Sequence, residues 1–216
     1  MLNFIFFDES KEILADFEEG IGADKQTFFT PGTVEEITEK YNIHVIISPT
    51  DCYGSIDRSL DLAFNDLFPN IGNRIKDQIE RFKLETTKGD LILPIGSSIL
   101  VPTRSKETPL LLCTSLTTTP DDREIVDTYN VYWAFRSILM VLDKMPSDIV
   151  LNVACPCFGT CCMRETIDQI AAARHDFQMG NTSFCDPQLI DDVEIISRSE
   201  EWAHVISNHA CLPIKN

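Results

Sequence analysis

The stretch "IHVIISPTDCYGSIDRSLDLAF", residues 43–64, changes character at its middle. Ile43 to Ser48 is a near-continuous apolar run of strand length, the pattern of a strand covered on both faces. His44 inside that run reads as a hydrogen-bonded core histidine, not a ligand. A polar loop follows with three carboxylates, Asp51, Asp57 and Asp61, and then an amphipathic helix begins. Ser55 or Asp57 fits the helix cap. Asp51, ending the strand, and Asp61, inside the helix, fit ribose or metal contacts or general-base work. A buried strand feeding a helix through such a loop is the unit of an α/β sheet protein.

Working outward, the same alternation continues in both directions. "LNFIFF" (2–7) reads as a strand, "KEILADFEE" (11–19) as a helix capped by Ser10, and "QTFFTPGTV" as a short strand turning at Pro31-Gly32. Residues 70–84 carry Ile71, Ile75, Ile79 and Phe82 at helical spacing. "GDLILPIGSSILVPT" and "TPLLLCTSL" supply two or three strands. "DREIVDTYNVYWAFRSILMVLDK" reads as a long central helix, "DIVLNVAC" as a last buried strand, and "RETIDQIAAARHDF" as its following helix. The expected architecture is a three-layer α/β/α sandwich around a mixed, largely parallel sheet, spanning residues 1–180. Residues 181–216 form an extension packed on the same domain, with "EEWAHVI" as a short helix.

Composition narrows the function classes. The 216 residues are 44% hydrophobic and 24% charged, enough to bury a core without staples. No apolar run approaches about 18 residues, which argues against a spanning helix. The start "MLNFIFFDES" has no basic leader and reads as a first strand. The eight cysteines are therefore expected as thiols in an intracellular, reducing compartment. A net charge of −16, from 34 acidic and 18 basic residues, argues against a nucleic-acid footprint, though not against one small anion held by backbone amides.

In open α/β sheets ligands bind where strand ends lead into helices. The second such loop is "CPCFGTCCM", with cysteines at 155, 157, 161 and 162. All four fall on one turn without a matching pair elsewhere, which disfavours a zinc or iron–sulfur site. A disulfide between neighbours is strained. A helix N-terminus exposes unpaired amides that suit an anion, and would favour a thiolate at Cys161 or Cys162. The plain alternative is that these are small soft side chains packing at a strand end.

The order of "SPTDCYGSIDRSLDLAF", "GDLILPIGSSILVPT", "LLCTSLTTTP", "TYNVYWAFRSIL" and "ACPCFGTCCM" resembles the macro domain superfamily, closest to macro-like proteins of phages, bacteria and large DNA viruses. The resemblance spans roughly residues 2–177. It implies binding of ADP-ribose or a related nucleotide, and, in some members, hydrolysis of ADP-ribose esters or ADP-ribose 1″-phosphate. No further cofactor, metal, nucleic acid or membrane is implied.

Carried onto this chain, the first loop would place Asp51 and Asp61 as catalytic carboxylates, with Gly54, Ser55, Ile56, Asp57 and Ser59 at the ligand. Thr33 would stand at the adenine end. The second loop would wrap a diphosphate with Pro156, Phe158, Gly159, Thr160, Cys161 and Cys162. Several positions depart from the family. Asp51 replaces Asn, Arg58-Ser59 replaces two glycines, Gly32-Thr33 replaces Gly-Asp, and Cys161, Cys162 and Met163 replace further glycines. Hence a second reading: a non-catalytic interaction protein that keeps the fold and has lost the ligand. Thiol chemistry at Cys161 or Cys162 is a third.

Overall fold

The computed structural model describes residues 1–56, 59–82, 89–119, 125–146 and 148–180. The described strands are β1 (Leu2–Asp8), β2 (Thr27–Pro31), β3 (Val45–Asp51), β4 (Ser98–Pro102), β5 (Leu110–Thr117) and β6 (Leu151–Pro156). They form one six-stranded sheet in the order β2-β1-β6-β3-β5-β4. Every pairing is parallel except β4 with β5. The strands alternate along the chain with α1 (Lys11–Ile21), α2 (Val34–Lys40), α3 (Ser59–Leu67), α4 (Ile71–Phe82), α5 (Asn130–Asp143) and α6 (Met163–Gln178).

Successive strand residues point to opposite faces, so apolar strands build two cores. On one face Phe4, Phe6, Val45, Ile47, Leu110 and Leu112 pack with α1, α5 and α6. On the other, Ile5, Phe7, Ile46, Leu111 and Cys113 pack with Val34 and Ile37 of α2, Phe64 of α3, and Ile71, Ile75 and Ile79 of α4. This is the expected three-layer, largely parallel α/β arrangement. His44 is 4% exposed, and its Nδ1 accepts from the Asn152 amide at 3.1 Å, stitching the start of β3 to β6. Among the described residues no helix is long and apolar enough to cross a membrane.

Two elements differ from the sequence expectation. Helix α2 was not anticipated, yet "TVEE" carries its start signal: Thr33 Oγ1 accepts from the Glu36 amide while Glu36 Oε2 accepts from the Thr33 amide. Helix α5 begins only at Asn130. Asp127 sits at φ 55°, Thr128 Oγ1 donates to the Ile125 carbonyl, and Asn130 Nδ2 donates to the Leu116 carbonyl. The local Thr128 bond and the Asn130 bond across to β5 hold residues 125–129 out of the helix. The segment 89–117 contributes two strands, β4 and β5, within the expected two or three, with Leu91 in an isolated bridge. The "EEWAHVI" helix, with the rest of 181–216, lies outside the described residues.

Candidate functional site

Both loops singled out in the sequence leave the carboxyl edge of the sheet. At the end of β3 the register against β5 slips between Thr50 and Asp51, the geometry of a bulge that re-aims a side chain. Asp51 is 5% exposed. Its Oδ1 accepts from the amides of Tyr53 (2.9 Å) and Ser55 (3.0 Å), and its carbonyl accepts from Gly54 N. Its Oδ2 is buried without a protein partner. The loop is thus closed by its own carboxylate, and two amides that could face an anion are already occupied.

Gly54 is a requirement of this turn. Its φ is +63°, and a Cβ there would lie 2.5 Å from Ile75 Cγ2 and 2.8 Å from Ile79 Cδ1 of α4. Ile56 packs partly buried against the same side, over Gly72. Ser59 and Asp61 fall in the first turn of α3. Asp57 and Arg58 lie outside the described residues.

After β6 the chain turns differently. Pro156 and Cys157 are buried and Phe158 joins the core on the α5–α6 side. Phe158 therefore contributes packing at this loop. Gly159 adopts φ +68°, where a Cβ would lie 2.5 Å from Thr166 Oγ1. Its carbonyl accepts from Thr166 Oγ1 at 3.0 Å and from the Cys162 amide at 3.1 Å. Residues Thr160–Cys162 form a short 3-10 turn into α6, with Thr160 and Cys161 exposed and Cys162 half-buried. Among the described residues, no group of three or more His, Cys, Asp or Glu side chains is disposed around a metal ion.

A cleft of about 440 Å³ opens at the same edge, where β1, β2 and β6 end. Pro156 and Cys157 form one wall, Gly32 and Thr33 another, and Leu60 and Ala63 of α3 the third. Asp8, Glu9 and Glu35 make its rim acidic. Thr33 and Pro156 were expected at the site. Asp8, Glu9, Glu35, Leu60, Ala63 and Cys157 were not, because only the fold sets the end of β1 beside the end of β6. The pairing Phe7↔Pro156 is the contact that does so. Burial, with a further push from the neighbouring Asp8 carboxylate, raises the Cys157 thiol far above its ordinary range, and burial does the same to Cys155. Both remain protonated at neutral pH.

No family model and no curated protein matches the chain. Among solved structures it is similar to the macrodomain of Mycobacterium tuberculosis DarG, at 12% identity and a TM-score of 0.47, covering 63% of this chain and 84% of that one.

Proposed function

We propose that the protein is a macro-type binding domain for ADP-ribose or a related nucleotide, of the kind its segment order resembles. The observation that carries the reading is the cleft of about 440 Å³ at the carboxyl ends of β1, β2 and β6, walled by Pro156 on one side and Thr33 on another. It lies where ligands settle in parallel sheets. The acidic rim of Asp8, Glu9 and Glu35 accepts hydrogen bonds and repels phosphate. A bound nucleotide would therefore place its base or ribose donors there. Its phosphates would lie toward the Gly159–Cys162 turn, which starts a 16-residue helix.

Hydrolysis of an ADP-ribose derivative would fall to Asp51 or Asp61, orienting water at the distal sugar. The orphaned Asp51 Oδ2 is an acceptor that a water or sugar hydroxyl would satisfy. Isothermal titration with ADP-ribose, ADP and NAD tests binding. Heat and a thermal shift with ADP-ribose are expected, and silence at millimolar ligand sinks the reading. Full turnover of a mono-ADP-ribosylated substrate by Asp51→Ala would remove Asp51 from the chemistry.

One observation favours a second reading, a fold-retaining interaction protein without the ligand. Asp51 Oδ1 itself takes the Tyr53 and Ser55 amides, so the first loop holds an internal anion in place of an external one. The same titration separates the two.

A further inference from the structure

The cysteine pair in front of α6 has a property that nucleotide binding does not use. Among the described cysteines, Cys52, Cys113, Cys155 and Cys157 are buried, whereas Cys161 is exposed and Cys162 half-buried. The Cys161 and Cys162 sulfurs stand 3.9 Å apart. Cys162 is also woven into the turn. Its amide donates to the Gly159 carbonyl at 3.1 Å, and its sulfur lies 3.7 Å from both that carbonyl and Thr166 Oγ1.

We infer that Cys161 and Cys162 are a two-electron redox site, oxidised by a hydroperoxide to a vicinal disulfide that rearranges the Gly159–Cys162 turn. The Cys161 sulfur, reachable from solvent, attacks the terminal peroxide oxygen. The O–O bond breaks, the alcohol or water leaves with the thiol proton, and Cys161 becomes a sulfenic acid. The Cys162 sulfur then attacks that sulfur, the S–O bond breaks, and water leaves with the second proton. Two thiols and one hydroperoxide thus yield one disulfide, one alcohol (or water) and one water.

The sulfurs must close from 3.9 Å to about 2.05 Å across a single peptide. The Cys162 sulfur then leaves its place beside Gly159 and Thr166, so the turn cannot keep its present shape. A strained, exposed disulfide of this kind is readily reduced again, which makes the change reversible. The buried cysteines, shielded from solvent, stay out of the reaction.

The test uses the full chain, reduced and then treated with hydrogen peroxide, with thiols counted by alkylation after denaturation. The expected result is the loss of two thiols per monomer and an intact mass lower by two hydrogens, both reversed by dithiothreitol. Cys161→Ser and Cys162→Ser each abolish the effect, while a Cys185→Ser/Cys211→Ser double variant keeps it. Hydrogen exchange at the Cys162 and Thr166 amides should rise on oxidation. Sulfinic acid as the product, a bond that needs Cys185 or Cys211, or unchanged exchange in the oxidised protein would overturn the inference. None of these readouts depends on ADP-ribose, so the outcome stands apart from the proposed function.

Discussion

Asp51–Ile56 after β3 and Cys157–Cys162 after β6 leave the same edge of one sheet, yet they are stabilised by different means. In the first, the Asp51 carboxylate binds amides two and four residues ahead, and Gly54 lies against Ile75 and Ile79 of α4. In the second, the Gly159 carbonyl gathers the bonds, from the Thr166 hydroxyl of the following helix and from the Cys162 backbone amide within the turn. The first loop is held by charge and close packing, and exposes little chemistry. The second is held by neutral hydrogen bonds and leaves two sulfurs near solvent. A loop that satisfies its amides internally gains rigidity and loses the capacity to cradle an anion.

The most disruptive way to probe this contrast is Gly54→Ala. It combines a left-handed φ with a Cβ overlap against two branched side chains, and about 2–4 kcal/mol of stability should be lost in denaturant unfolding. The counterpart Gly159→Ala meets the buried Thr166 at 2.5 Å. It should cost about 2–3 kcal/mol and, unlike the first, perturb the cysteine turn. Equal losses of thiol reactivity in both variants would contradict the independence of the two loops.

Asp51→Ala removes the internal anion and leaves the Tyr53 and Ser55 amides bare, for a loss of about 1–3 kcal/mol. If those amides then accept a ligand anion, affinity for ADP-ribose should rise despite the lower stability. Thr33→Ala dissolves half of the capping box of α2 and should cost about 1 kcal/mol, visible as a lower melting temperature.

The smallest effect concerns pH. The Cys157 thiol is raised by burial and by Asp8, so the folded protein favours its protonated form. Its contribution is intact below the ordinary thiol value of 9.0 and is lost progressively as pH rises beyond it. The stability difference between wild type and Cys157→Ala should therefore narrow between pH 9 and 10.

Much of the layered fold was legible because it follows from local pattern. "IHVIIS" and "LLLCTSL" are near-continuous apolar runs, and a strand apolar on both faces has to be covered twice. Ile71, Ile75 and Ile79 recur at the helical period, so their helix could be placed without knowing its partner. Helix α2 was legible too, through the Thr33–Glu36 box, but its seven residues carry too short an apolar stripe to announce themselves. The start of α5 was not legible, since "IVDTY" runs directly into the helical pattern, while Thr128 bonds back to Ile125 and Asn130 reaches across to Leu116 on β5.

The site divides in the same way. The sequence by itself determined the two strand-end loops, the glycines in their turns and the run of cysteines, because strand termini, turn residues and helix starts are written within a few residues of one another. Tertiary structure alone decided which of these groups are available. It buried Asp51 under its own loop, sank Cys155, Cys157 and Phe158 into the core, and left Cys161 outside. It also brought Asp8 and Glu9 from the first strand to the edge of Pro156, some 150 positions along the chain. The reason is physical: exposure and long-range adjacency are set by strand order and register, and no local pattern encodes them.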